Sequence, residues 1–147
     1  MSLPFQRILL IDDNEDDNLY HRIMLEEAAV CSANNIDVVY NGFEALDYLK
    51  CAGNFAYRKN QSNKRPDLIL LDLQMPDMDG WEFLEEYKKL DPKIKGNMIV
   101  VLLTDSKDNV DVNDDQGKNY EYMSKPLSRK KIEQIVSHYK EKEKKEG

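Results

Sequence analysis

Four apolar residues, Leu68, Ile69, Leu70 and Leu71, run without a break into Asp72, and Pro76, Asp77 and Gly80 follow closely. A short branched apolar run bounded by turn formers reads as a strand covered on both faces, because a half-exposed strand would alternate with polar residues. Such a strand belongs to a parallel sheet with helices on either side. Asp72 then stands at the carboxyl edge of the sheet, where ligands and chemistry gather in open α/β folds.

The same pattern recurs along the chain. Ile8 to Ile11 form a second buried run that ends in carboxylates, Asp12 and Asp13, with Asn14, Glu15, Asp16 and Asp17 behind them. Leu19, Tyr20, Ile23, Met24, Leu25 and Ala28 then recur at helical spacing, and the acids ahead of them complement the positive end of a helix dipole. Glu15, Asp16 and Asp17 are therefore read as helix-capping acids. Residues 37–40 suit a short strand, and Asn41-Gly42 opens a helix with Ala45, Leu46, Leu49 and Ala52 as its apolar stripe. Residues 53–65 are polar and rather basic, and read as an extended loop or frayed helix end inserted at the periphery.

After the central strand, residues 80–90 form a helix with Phe83, Leu84, Tyr87 and Leu90 inward and Pro92 beyond its end. Residues 97–103 are the most β-prone run and stop at Thr104, Asp105 and Ser106. Residues 106–118 are poor in helix formers, so a short or irregular helix is expected there. Residues 120–123 read as a last strand, and Ile132, Ile135, Val136 and Tyr139 as a closing amphipathic helix. The domain is expected over residues 4–140, with 141–147 a charged, solvated tail.

Five strands alternating with about five helices call for a doubly wound parallel sheet, and the flavodoxin-like strand order 2-1-3-4-5 suits a chain of 147 residues. That order makes the first, third, fourth and fifth strands neighbours, so Asp12, Asp13, Asp72, Thr104 and Lys125 can meet at one sheet edge. Clustered carboxylates repel one another unless a cation intervenes, and oxygen donors without His or Cys point to Mg²⁺ or a similar ion. A divalent cation on one side and the Lys125 ammonium on the other suit a phosphoryl group. A carboxylate can itself be the nucleophile, and Asp72, on the central strand, is best placed for in-line attack.

These residues together resemble the receiver domain of response regulators in two-component signalling, of the stand-alone, single-domain type. Ile11-Asp12-Asp13 resembles the family's acidic pair, Asp72 to Gly80 its phosphoacceptor motif, and Thr104 its switch hydroxyl. Lys125-Pro126 resembles its lysine with the following cis-bond candidate, and Asn41 to Leu46 is another family-like phrase. The resemblance implies that a histidine kinase or phosphotransfer protein phosphorylates Asp72. It implies Mg²⁺ held by Asp13, Asp72 and the backbone carbonyl of Gln74, with Asp12 in the outer shell. Thr104 would swing to the phosphoryl oxygen, and Tyr122 would follow inward as the aromatic switch. The signal would be read on the fourth helix, fifth strand and fifth helix by an unknown downstream protein. Such a chain is no enzyme beyond its own phosphoryl transfer and dephosphorylation.

Composition narrows the alternatives. A net charge of −7 argues against nucleic acid or an anionic membrane surface as a direct partner. Two cysteines, Cys31 and Cys51, without CxxC spacing suit a reducing, cytoplasmic setting, and no apolar stretch approaches a membrane span. His21 and His138 read as surface or packed residues, and Asp77 to Gly80 fails as a calcium loop because Met75 would be the first ligand. No output module follows the last helix, so output through a protein contact is expected, and a homodimer is among the open assemblies. Two rival readings remain: a Mg²⁺-dependent phosphohydrolase with an Asp nucleophile, and a binding module that has lost phosphorylation. The first would want an acid two residues after Asp72, where Gln74 stands.

Three departures from the family pattern stand out. Sixty positions separate Asp12 from Asp72, and residues 53–65 hold the excess. The residue after Thr104, normally small, is Asp105, which can repel a phosphodonor, cap a helix or orient attacking water. The acid-rich stretch at 106–118 puts the usual output face in question.

Overall fold

The computed structural model describes residues 3–61, 65–75, 77–95, 98–105 and 120–146, the last five by their backbone alone. The elements are β1 (Ile8–Ile11), α1 (Glu15–Glu27), β2 (Ile36–Val39), α2 (Gly42–Lys50), β3 (Leu68–Asp72) and α3 (Gly80–Lys88). A single helical turn, α4 (Pro92–Lys95), then leads to β4 (Ile99–Thr104), β5 (Glu121–Ser124) and α5 (Arg129–Glu146). The five strands form one parallel sheet in the order β2-β1-β3-β4-β5. The doubly wound fold expected from the sequence is the one formed.

Strand alternation explains the unbroken apolar runs. Leu9, Ile11, Ile69, Leu71, Val100 and Leu102 pack on one face against Ala45, Leu46 and Leu49 of α2 and Phe83, Leu84 and Tyr87 of α3. Ile8, Leu10, Leu68, Leu70, Val101 and Leu103 point the other way, onto Leu25 of α1 and Ile132 and Ile135 of α5. Each central strand must therefore be apolar at successive positions, since both of its faces are core. Reversal of strand order on either side of β1 opens a crevice at the carboxyl ends of β1 and β3.

Two expectations need correction. The apolar residues of α1 mark its buried face only in part: Leu25 is buried beside Asn18 and His21, and Met24 and Ala28 pack against the core, while Leu19 (58% exposed), Tyr20 and Ile23 (43% exposed) face outward. Asn18 can turn inward here because its side-chain N–H donates to the Asp12 carbonyl at 2.8 Å. In the segment after α2, residues 53–60 are neither an extended loop nor a frayed end. Gly53–Asn60 winds as 3₁₀ turns pinned by Arg58, which is buried and lies 3.4 Å over the Tyr48 ring while donating to the Tyr48 carbonyl. Cation–π stacking and a carbonyl acceptor offset the desolvation of that guanidinium.

The last helix continues to Glu146, so the charged C-terminal segment is helical in its backbone. The short or irregular helix expected at 106–118 lies outside the described residues. Among the described residues no helix is long and apolar enough to cross a membrane.

Candidate functional site

Three turns at the carboxyl edge of the sheet build the site. After β1, the Asn14 side chain accepts from the Asp17 N–H at 3.0 Å and caps α1, while the Asn14 N–H donates to Asp12 Oδ1 at 3.0 Å. The Asp12 backbone N–H reaches across to the Val39 carbonyl at 3.1 Å, continuing the sheet one residue past β1. Asp12 is therefore fixed in backbone and side chain, and Asp13 beside it is exposed.

After β3, α3 begins close against the strand it follows. The Gly80 N–H donates to the Leu73 carbonyl at 3.1 Å, and a Cβ on Gly80 would stand 2.8 Å from the Leu73 Cα and 2.9 Å from the Asp72 carbonyl oxygen. Only glycine permits that approach. Asp79 and Glu82 complete a capping box, and Asp77 adopts φ 67°, a left-handed conformation that Asp tolerates better than most residues. The turn holds Asp72 in place, with the Gln74 N–H donating to its Oδ1 at 3.2 Å.

After β5, Lys125 precedes Pro126 through a cis peptide bond, and its N–H donates to the Thr104 carbonyl at 2.9 Å. Its ammonium turns into the acidic edge, 2.7 Å from Asp12 Oδ2, 2.9 Å from Asp17 Oδ2 and 3.5 Å from Asp72 Oδ1. Asp12, Asp13 and Asp72 each bring one carboxylate oxygen within 4.8 Å of the others. The cluster foreseen from the sequence is thus assembled from residues far apart in the chain.

Electrostatics at this edge are out of balance. Burial, then the negative charge of Asp12, push the Asp72 carboxyl up to about 7, against the opposing pull of Lys125 and the Gln74 N–H. Burial tends to lower the Lys125 pKa, but hydrogen bonds to Asp12 and Asp17 and the charge of Asp72 outweigh it and hold the ammonium above its ordinary value. Three carboxylates and one shared ammonium leave excess negative charge, and all the candidate donors are hard oxygens. That composition fits a small divalent cation.

The remaining candidates are spread around this cluster. Thr104 ends β4, buried, one position beyond Leu103, which pairs with Asp72 in the sheet. Asp105 follows it and is exposed. Tyr122 is half-buried on β5, with its ring 6.2 Å from that of Trp81 on α3. Asp17 was not singled out by the sequence beyond capping, because nothing local in the chain ties it to Lys125, 108 positions away.

The sequence model of the response regulator receiver domain family matches residues 8–137. The chain is 32% identical over 103 residues to the response regulator Rcp1 of Synechocystis, a match covering 70% of this chain and 65% of that protein. Its structure is similar to that of the bacteriophytochrome response regulator AtBRR, with a TM-score of 0.74 and 31% identity over 93% of this chain and 92% of the other. It is similar as well to the phosphorylated cyanobacterial phytochrome response regulator RcpA, with a TM-score of 0.61 and 34% identity over 92% and 91% of the two chains. A match across almost the whole folded region, joined to an acidic triad and a lysine at the carboxyl edge, places this chain in the response regulator receiver domain family.

Proposed function

We propose that the chain is the phosphoacceptor of a two-component phosphorelay, in which a histidine kinase or phosphotransfer protein delivers a phosphoryl group to Asp72. The observation that carries this reading is the meeting of Asp12, Asp13, Asp72 and Lys125 at one edge of the sheet. One Asp72 carboxylate oxygen attacks phosphorus in line, the bond from phosphorus to the donor breaks, and the donor group leaves with the electron pair. Lys125 and the Thr104 hydroxyl receive the phosphoryl oxygens, and Tyr122 follows Thr104 inward as the switch.

Mg²⁺ is the cation this donor set suits. Asp13 and Asp72, with the Gln74 backbone carbonyl, are the residues to hold it, because the Asp12 oxygens already accept from Lys125 and Asn14. When bound, the ion neutralises charge on the carboxylates and on the incoming phosphoryl oxygens. Exposed Leu19, Tyr20 and Ile23 on α1, the helix whose first turn borders the site, offer an apolar face for the phosphodonor protein. The phosphorylated state of RcpA, a relative of the same fold, supports the reading. A cytoplasmic, non-enzymatic signalling role that passes output by protein contact accompanies it.

Intact-mass measurement tests this with Mg²⁺ and acetyl phosphate. The wild type should gain one phosphoryl group and Asp72→Ala none. Gain by the variant moves the site elsewhere, no gain by the wild type favours a module without phosphorylation, and steady turnover of unrelated phosphate esters favours a hydrolase.

Asp105 is expected to slow this reaction. It is exposed beside Thr104, so an anionic donor approaches against its charge, a repulsion of about 1 kcal/mol near a protein surface. Asp105→Ala should speed phosphorylation by acetyl phosphate about fivefold at low salt, with the gain shrinking as salt is added. Equal rates in stopped-flow fluorescence or quench assays would remove Asp105 from the site's electrostatics.

A further inference from the structure

The Lys125 ammonium is gripped from the α1 side. It has three protons to donate, and the two closest acceptors are Asp12 at 2.7 Å and Asp17 at 2.9 Å, with Asp72 third at 3.5 Å. Asp17 is no loose surface acid: its backbone N–H is tied to Asn14, and Asn18 beside it is tied to the Asp12 carbonyl. The first turn of α1 therefore presents the Asp17 carboxylate to the lysine from a fixed backbone.

We propose that Asp17 is a positioning residue for Lys125, holding the ammonium towards α1 and yielding it when a phosphoryl group is present on Asp72. The proposal rests on the reading of Asp72 as phosphoacceptor. The ammonium stands 3.5 Å from Asp72 but 2.7 Å and 2.9 Å from Asp12 and Asp17, so closing on a phosphoryl oxygen at Asp72 draws it away from one of the two shorter contacts. Asp12 has a side chain only 5% exposed and would be left as a buried carboxylate without its cation, which is costly. The Asp17 side chain is 37% exposed, and water can take over from the lysine there. Asp17 is thus the contact that breaks, and its strength is subtracted from the stability of the phosphorylated form.

The consequence is a set-point written into α1. The carboxylate released by Lys125 lies in the same helix as the outward Leu19, Tyr20 and Ile23, so the charge next to that face differs between the two states. A phosphodonor with a cation opposite Asp17 would draw it off the lysine and prepare the site for transfer, by the reciprocity that binds any two linked equilibria.

Asp17→Asn, compared with Asp16→Asn, tests the proposal. Both remove one acid from the first turn of α1, and Asp16 is exposed and outside the lysine's reach in the contacts described. Two readouts are needed. In protein without metal or donor, proton exchange at the Lys125 ammonium, followed by nitrogen-15 NMR, should quicken several-fold in Asp17→Asn and hardly at all in Asp16→Asn. With saturating Mg²⁺ and beryllium fluoride as the phosphoryl analogue, Asp17→Asn should bind the analogue about fivefold more tightly than Asp16→Asn, the scale of a half-exposed ion pair. Asp17→Glu should fall near the wild type in both.

Equal exchange in the two asparagine variants overturns the grip, and equal or weaker analogue binding by Asp17→Asn overturns its opposition to the phosphorylated form. A wild type that binds no analogue and takes no phosphoryl group contradicts the phosphoacceptor reading and the set-point together. Unchanged exchange in Asp17→Asn, where the wild type is phosphorylated, contradicts the Asp17 role alone.

Discussion

Lys125→Ala is expected to destabilise the metal-free protein by about 3–5 kcal/mol, the cost of stripping a buried carboxylate of its cation. The Lys125 side chain is 7% exposed and lies within 3.5 Å of Asp12 and Asp72, both themselves buried, so its removal leaves two facing negative charges in a place water hardly reaches. Loss of its stem adds a packing defect. Because an added cation restores charge balance and binds only the folded state, Mg²⁺ should recover part of the deficit, growing with the logarithm of its concentration. Urea unfolding with a chelator and then with Mg²⁺ measures both quantities. A variant as stable as the wild type in chelator would mean that the acidic edge does not depend on this lysine. The variant should also lose tight binding of a phosphoryl analogue, since no other buried cation among the described residues faces Asp72.

Asp72→Asn should act in the opposite direction on stability while abolishing phosphorylation. The Asp72 carboxyl is raised from 3.8 to about 7 by burial and by Asp12, so between those values the folded state holds a proton that the unfolded state releases. Stability then falls as pH rises across that interval. The contribution of protonated Asp72 is fully present below about 3.8 and is lost as pH passes about 7. Asparagine keeps the shape and carries no charge at any pH. In chelator the variant should match the wild type near pH 4 and exceed it by about 2 kcal/mol at pH 8, each pKa unit being worth about 1.4 kcal/mol before solvent relaxation is allowed for. Mg²⁺ should narrow the gap by stabilising the wild-type carboxylate. Parallel pH profiles for the two proteins would show that Asp72 ionises in the folded state as freely as in the unfolded one.

What could be read from the sequence was whatever local pattern determines. The inner strands are covered on both faces, so Ile8 to Ile11 and Leu68 to Leu71 had to be continuous apolar runs, and the carboxylates ending them were located with the strands. Gly80 could be recognised as a motif residue, although its reason, the approach of α3 to Leu73, lies in three dimensions. The buried face of α1 escaped because Asn18 and His21 turn inward, Asn18 donating to the Asp12 carbonyl, while Leu19, Tyr20 and Ile23 are left outside. Periodicity counts hydrophobes, and here the outward side carries as many of them as the inward one. The turns at Gly53–Asn60 escaped for a similar reason, since a basic, polar segment looks solvated until Tyr48 is there to receive Arg58. In the sequence Asp17 reads as a capping acid. It does sit in the first turn of α1, and its second role exists only once β5 brings Lys125 alongside.

The chemistry assigned to Asp72 is most directly tested by trapping the product. The protein, incubated with Mg²⁺ and acetyl phosphate, is reduced with borohydride, which converts an aspartyl phosphate to homoserine and leaves free carboxylates untouched, and then mapped by tandem mass spectrometry. Conversion of Asp72 alone, dependent on Mg²⁺ and on the donor, is the expected result. Conversion at another acid, or none at Asp72 while intact protein carries a phosphoryl group, would contradict it.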